Sequence, residues 1–415
     1  MRIGIAGWGS EGDLRPLVAL AGRLRRAGHE PSLLLSPVDE IDWGATCSAL
    51  QVPMRLVPEL TEHSLQEICK ASQSADPSKV SRALLDLAFF PQLEAMYAAA
   101  HELCAQSEVV VGLFSSWYLK AACLATGVPF VCVHYYPGMV PSRTVPPIGF
   151  PAWKWLNPVA WELFSRVIDL GFGSATKQFF ASKGLPKVRR ALTDVLLSDR
   201  LNLIGASPTL FPAPADWGGL NVVCGDFVLP GEEQPWEPEP ALARFLEDGE
   251  KPVLFSFGTM AHLAPERSRE LVLGAIKQAK VRAVVQMRSA QESGREGDTF
   301  FVHWAPHRHL APRCSGMVIH GGAGTTHAAL RAGLPAVVLP FIFEQKLWGR
   351  LLHRAGTATR PMSFWKATPQ TLGSQIRQAL GSEALRQRAA ELASRVSRED
   401  GTGVAVERLE ALAKR

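Results

Sequence analysis

The sequence predicts an α/β protein made of two similar halves, each a parallel sheet with helices over both faces. Three observations carry that prediction. The length of 415 residues exceeds what one hydrophobic core usually supports. With 47% hydrophobic and 20% charged residues, the chain can bury large cores, whereas disordered chains combine low hydrophobicity with high net charge. Short apolar runs alternate with segments of helical periodicity, and the alternation pauses once, near the middle, in a proline-rich stretch.

The elements follow in order. Ile3 to Gly7 is an apolar run that leads into Gly7-Trp8-Gly9-Ser10-Glu11-Gly12-Asp13, after which Leu14, Leu17, Val18, Leu20, Ala21 and Leu24 recur at helical spacing up to Gly28. This is a strand, a glycine-rich turn and a helix. Pro31–Leu35, Glu108–Leu113 and Phe130–His134 supply further strands with helical stretches between them. The segment Ser207–Pro214, lying between strand-like runs at Leu201–Ile204 and Val222–Cys224, cannot extend a helix, and a linker is expected there. Beyond Pro230, Pro235, Pro238 and Pro240 the alternation restarts. Strands are expected at Val253–Phe257, Ala283–Met287, Phe300–Val302, Met317–Ile319 and Ala336–Leu339, with helices at about Glu266–Lys280 and from Gly324. The tail from Ser382 to Arg415 reads as amphipathic helix.

Charge and cysteine usage exclude several functions. A net charge of +5, from 44 basic and 39 acidic residues without a long run of one sign, does not describe a nucleic-acid-binding face. The short clusters at Arg23, Arg25 and Arg26 and at Arg189 and Arg190 suit solvated helix ends. Seven cysteines without a Cys-x-x-Cys pair fit neither a disulfide framework nor a thiolate metal site, and point to a reducing cytoplasm. Met1-Arg2-Ile3-Gly4-Ile5 runs straight into a strand without the pattern of a signal peptide. No apolar run approaches the ~20 residues of a spanning helix; the zone from Val109 to Tyr136 is broken by Ser115, Ser116, Lys120, Gly127 and Pro129.

The most informative segment is Val318-Ile319-His320-Gly321-Gly322-Ala323-Gly324-Thr325-Thr326-His327, an apolar strand whose glycine-rich turn opens a helix. Such a turn gathers unpaired backbone N–H groups at the positive end of a helix dipole, which suits a phosphate. The plainer reading is a tight turn whose threonines cap the helix. Asp13 has two readings as well, a general base that takes a proton from a hydroxyl or a helix N-cap. Glu11 beside it is placed to raise the Asp13 pKa by like-charge repulsion. His134 ends a strand ahead of Tyr135-Tyr136-Pro137, where it either lines a substrate site or sits in the core. His303, His307, His309 and His327 cluster in sequence, but no carboxylate accompanies His307 and His309 and the chain has no Asp-x-Asp, so no metal is expected. From Tyr135 to Phe164 the chain is aromatic, proline-rich and irregular, a composition that suits a pocket for a flat or greasy molecule or an ordinary packed loop.

Residues 303–345, with His303-Trp304-Ala305-Pro306-His307, then His320 through Phe341, then Glu344-Gln345, resemble the nucleotide-sugar box of the UDP-glycosyltransferase-like family, glycosyltransferase family 1. They are most similar to its branch of sterol glucosyltransferases and bacterial antibiotic and natural-product glycosyltransferases. Gly9–Asp13 with Pro16 resembles that branch's opening loop, and Phe255–Met260 its second phosphate loop. The resemblance implies the GT-B architecture, two Rossmann-like domains with parallel sheets facing a central cleft. It implies an acceptor-binding domain at 1–215, a nucleotide-sugar-binding domain at 216–395, and a last helix at 396–415 that packs back on the first domain.

It further implies that His320, Gly322, Gly324 and Thr325 hold the diphosphate, that Gly258 and Thr259 close over it, and that Trp304 stacks on the base, a core tryptophan being the alternative. Ser10, Gly12 and His307 join the nucleotide-sugar site. Glu344 and Gln345 fall where the family has Asp-Gln on the sugar hydroxyls; the Glu adds a methylene. Glu11 stands where an Arg is common, and Ala328 where plant members carry a ribose-binding acid, which leaves UDP and dTDP donors both open. Asp13 and His320 are the implied catalytic residues, and Trp117, His134, Tyr135 and Trp153 the implied acceptor-binding residues. The expected protein is thus a cytoplasmic, metal-independent, inverting glycosyltransferase with no tightly bound cofactor, monomeric or homodimeric. It takes a sugar from UDP-glucose or a dTDP-sugar to a lipophilic acceptor. A nucleotide-sugar epimerase and a non-catalytic homologue that partners another transferase are the rival readings.

Overall fold

The computed structural model describes the chain apart from residues 40, 58–84, 151–153, 232–234, 288–292 and 415. It divides into two compact units, one comprising 1–65, 84–230 and 400–415, the other including 231–399. In the first, β1 (Arg2–Gly9), β2 (Glu30–Pro37), β3 (Met54–Leu56), β4 (Val109–Leu113), β5 (Phe130–His134), β6 (Leu201–Ile204) and β7 (Asn221–Val223) form one sheet in the order β3-β2-β1-β4-β5-β6-β7. Every pairing in it is parallel. Its described helices up to residue 230 are α1 (Glu11–Arg26), α2 (Trp43–Ala49), α3 (Leu93–Ala105), α4 (Trp117–Thr126), α5 (Asn157–Ser182) and the single turn α6 (Ala191–Asp194).

The central strands β4 and β5 are buried along their whole length, as a parallel strand covered on both faces must be, and so they read as unbroken apolar runs. One core packs Leu14, Leu17, Val18 and Leu24 of α1 against β1, β2 and β4. A second, on the opposite face, gathers Phe89, Met96, Tyr118, Trp161 and Phe180.

The second unit carries β8 (Val253–Ser256), β9 (Ala283–Gln286), β10 (Gly294–Glu296), β11 (Thr299–Val302), β12 (Gly316–Ile319) and β13 (Ala336–Val338) in the order β10-β11-β9-β8-β12-β13. All pairings are parallel except that of β10 with β11. Its helices are α7 (Pro240–Glu247), α8 (Pro265–Ala279), the single turn α9 (His307–Leu310), α10 (Ala323–Ala332), α11 (Phe343–Arg354), α12 (Pro369–Gly381) and α13 (Glu383–Val396). No described helix is long and apolar enough to cross a membrane.

Several elements differ from the sequence reading. The segment Ser207–Pro214 joins β6 to β7 within one sheet, and the units divide after residue 230. Buried Phe211 and Trp217 pack on each other at 5.8 Å and anchor that loop. The aromatic stretch becomes helical at Asn157, which turns Trp161 and Phe164 inward as part of a core. The tail is two helices: α13 stays with the second unit, while α14 (Gly401–Ala413) belongs to the first. Ala405, Val406 and Leu409 of α14 enter the core around α1. Arg23 Nη2 donates to Asp400 Oδ2 at 2.8 Å, and His29 Nε2 lies 2.9 Å from Glu410 Oε1. Leu409 is fully buried, so Leu409→Ala should lower the unfolding free energy of the first unit by about 2–5 kcal/mol. Urea denaturation checks this, and a loss of only a few tenths would mean α14 contributes little to that core.

Candidate active-site turns

Both units place a glycine-rich turn where a strand hands over to a helix, and the two turns are finished differently. In the first, Gly9 ends β1 at φ +146°, a backbone setting that L side chains rarely adopt. A Cβ at Gly9 would sit 2.5 Å from Asp13 Oδ2. Glycine is therefore required for the Asp13 carboxylate to fold back over the turn. The Ser10 backbone N–H donates to Asp13 Oδ2 at 2.9 Å, and Ser10 Oγ donates to the same oxygen at 3.0 Å. Ser10, not Asp13, holds the N-cap position, and Asp13 is its reciprocal partner one turn in.

A residue that sequence reasoning missed completes this turn. Asp39, just beyond β2, accepts from the Glu11 backbone N–H at 2.7 Å through Oδ2. Only the fold brings residue 39 to residue 11, because β2 runs parallel beside β1 with Gly9 opposite Pro37. Burial raises the Asp13 pKa most, the Ser10 hydrogen bonds pull it back, and the Asp39 charge adds to the rise. The second carboxylate is thus Asp39; Glu11 pairs with Arg15 at 3.4 Å. Gly12 leaves open space apart from Ser10 Oγ, which a Cβ would meet at 3.8 Å.

The residues that the resemblance implied for the acceptor are placed unevenly. Tyr135 is half-buried, its hydroxyl enclosed without a hydrogen bond. Its pKa is pushed well above the usual range by burial first and by the Asp13 charge second. Trp117 opens α4 but is buried, stacked on Phe89 at 5.3 Å. His134 belongs to the core: it is 0% exposed, stacked on Phe114 at 5.6 Å, with Nε2 3.2 Å from Cys132 Sγ. Burial lowers its pKa to about 3, so it is a neutral packing residue and lines no open surface. Trp153 lies outside the described residues.

In the second unit, β12 runs into His320 and Gly321 and α10 begins at Ala323 with Gly322 as its N-cap. A Cβ at Gly322 would stand 2.3 Å from His320 Nε2, and one at Gly258 3.3 Å from His320 Cε1. The imidazole therefore occupies the room that a side chain at Gly322 would need and lies tight against Gly258. Because Gly322 has no side chain, no side chain caps α10, and the N–H groups of its first turn have no partner within the helix. A Cβ at Gly324 would meet nothing within 4 Å, so the first turn is open on that side. Thr325 Oγ1 donates to the Gly322 carbonyl at 3.2 Å, which steadies the turn.

His320 Nδ1 is buried without a hydrogen bond. Burial lowers the His320 pKa to about 4; the Ser256 carbonyl opposes this and the nearby His307 adds to it. His307 Nε2 lies 2.9 Å from Ser256 Oγ, which ties α9 to the end of β8. Gly258, at φ +54°, and Thr259 open a short 3-10 turn after β8. Trp304 is 47% exposed, so its indole is not core. Glu344 is exposed near the start of α11. Gln345 is 2% exposed, and its Oε1 accepts from the Phe341 and Ile342 backbone N–H groups at 2.8 and 3.3 Å. That carbonyl oxygen fixes the start of α11. His327 Nδ1 lies 2.8 Å from the Ala323 carbonyl and its ring packs on Trp348 at 5.3 Å, which commits it to packing.

Residues 272–412 match the family of the C-terminal domain of erythromycin biosynthesis protein CIII-like proteins. The chain is 29% identical over an alignment of 424 positions to O-mycaminosyltylonolide 6-deoxyallosyltransferase of Streptomyces fradiae, spanning 97% of this chain and 95% of that one. It is a GT-B glycosyltransferase. A sterol 3-beta-glucosyltransferase of Arabidopsis thaliana is 32% identical over 48% of this chain and 33% of its own. The crystal structure of the glycosyltransferase VinC in complex with dTDP superposes on this glycosyltransferase with a TM-score of 0.66, at 20% identity, over 100% of each chain.

The two buried histidines set an acid limit on stability. Their folded pKa values, about 3 and about 4, lie below the ordinary 6.5, so the unfolded chain binds more protons between those limits. Stability from these sites is therefore complete above pH 6.5 and is lost as pH falls toward 4. Each site accounts for about 2 kcal/mol at pH 5. His134→Leu should reduce the drop in unfolding free energy between pH 7 and pH 5 by that amount, measured by urea denaturation. An unchanged drop would show that His134 is protonated in the folded chain.

Proposed function

We propose that this enzyme moves a sugar from a UDP- or dTDP-sugar to a hydroxyl of a lipophilic small molecule, such as a sterol, terpenoid or polyketide. The transfer is a single inverting displacement that needs no metal. The observation that carries this reading is the uncapped, approachable N-terminus of α10 beside a neutral His320. Open N–H groups at a helix start favour an anion without a resident cation. The dTDP of the VinC complex supports a nucleoside diphosphate as that anion, and the exposed Trp304 indole suits stacking on a base.

In the proposed reaction, the acceptor oxygen forms a bond to the anomeric carbon while the bond from that carbon to the β-phosphate oxygen breaks. The electron pair leaves with the diphosphate, which α10 and His320 stabilise. Asp13 takes the hydroxyl proton. Burial and the Asp39 charge, which raise its pKa, bring it nearer the pH at which a base works best. The first unit is the proposed acceptor domain and the second the donor domain, with Glu344 near the sugar and Gln345 shaping the turn that presents it. The cytoplasm is the proposed location, as a monomer or homodimer.

Incubation with UDP-glucose and dTDP-glucose and a panel of lipophilic alcohols, read by mass spectrometry, tests the reading. Glycosylated product supports it. Isomerised donor sugar would assign an epimerase, and nucleotide binding without either would assign a silent homologue. Asp13→Asn keeps an oxygen for the Ser10 donors, so it should lower transfer by about 10²–10⁴-fold while dTDP affinity and melting temperature stay near wild type. Retained transfer would remove Asp13 from the chemistry.

A further inference from the structure

Of the nine large hydrophobic side chains exposed among the described residues, five lie between residues 155 and 170: Trp155 at 80%, Val159 at 55%, Leu163 at 48%, Val167 at 59% and Leu170 at 86%. At about 100° per residue, Val159, Leu163, Val167 and Leu170 share one stripe of α5, and Trp155 precedes it in the turn Lys154–Leu156. The opposite side of the same helix is core, through Trp161, Phe164 and Phe179. A helix apolar on both sides is ordinarily covered on both.

Charge and area indicate the cover. Arg166 and Lys177 are exposed on or beside the stripe. Arg190 pairs with Glu162 and Asp169 of α5 and so draws the exposed Lys187 and Arg189 alongside. The nearby carboxylates are occupied: Glu162 by Arg166 and Arg190, Asp169 by Arg190 and the Ala191 N–H, Asp194 by the Arg189 and Arg190 N–H groups. What remains facing outward is apolar with a cationic border. The stripe measures roughly 17 Å by 10 Å, well short of the ~800 Å² per partner of a standard protein interface.

We propose that α5, led by Trp155, is an interfacial helix that seats the protein on an anionic phospholipid surface. The aliphatic side chains enter the headgroup boundary, the indole sits at its level, and Lys177, Lys187 and Arg189 meet the lipid phosphates. This membrane contact stands independently of the transfer chemistry.

The test is sedimentation of the full-length protein with phosphatidylcholine vesicles made with and without phosphatidylglycerol, alongside light scattering of the protein alone. The protein should bind the anionic vesicles, bind neutral ones more weakly, and lose affinity as salt is raised. Leu163→Glu with Leu170→Glu should weaken anionic-vesicle binding at least about tenfold with an unchanged melting temperature, because both side chains are already exposed. Three results would each overturn the proposal: wild-type protein that stays in the supernatant at every lipid concentration, a double variant that binds as well as wild type, and a dimer in solution that the double variant converts to monomer, which would assign the stripe to a second copy.

Discussion

The space taken by one imidazole ring shapes the second unit's turn. His320 lies where a Cβ on Gly322 would stand and tight against Gly258, whose φ of +54° itself favours glycine. The helix that begins at Gly322 thereby loses the side-chain cap that most helices use. Its first N–H groups are left to whatever anion arrives. The enclosure that fits the ring among the loops also keeps it neutral, near a pKa of about 4. In the proposed reading, recognition of a diphosphate rests on backbone dipoles in place of a fixed positive charge. The modest net charge of +5 is consistent with attraction confined to that turn.

The turn after β1 is the contrasting case. There the helix start is filled from within, by Asp39 on the Glu11 N–H and by Asp13 on Ser10. Two carboxylates at a helix start take up two of its donors and discourage another anion, which suits the hydroxyl chemistry proposed for this turn. The hydrogen bonds that hold Asp13 favour its charged form, while burial and Asp39 disfavour it. Its position is thus set by Ser10 and Gly9, and its acidity chiefly by burial, with Asp39, brought in by β2, adding a smaller share.

The sheets were legible because buried parallel strands must be apolar throughout, and β4, β5, β8 and β12 announce themselves that way. The edge strands β3 and β10 did not, since Met54-Arg55-Leu56 and Gly294-Arg295-Glu296 are held by one neighbour each and need no apolar signature. The glycine-rich turn before α10 was legible as glycines after a strand. The role of Asp39 was not: its contact with Glu11 spans 28 residues and exists only once two strands pair. His134 shows the converse. Its place at a strand end suggested a site, but the side-chain alternation of a strand covered on both faces sends it into the core. The exposed stripe of α5 was hidden in a region read as irregular because proline and aromatic residues masked its helical spacing.

The claim that backbone dipoles and a neutral His320 hold the diphosphate is tested most directly by calorimetric titration of UDP-glucose or dTDP-glucose, whose diphosphate diesters keep a constant charge, from about pH 8 to pH 5. A neutral His320, titrating near 4, predicts an affinity that stays flat across this range. Affinity that strengthens as pH falls through about 6.5, and loses that rise in His320→Asn, would show that a protonated imidazole binds the diphosphate and would contradict the account.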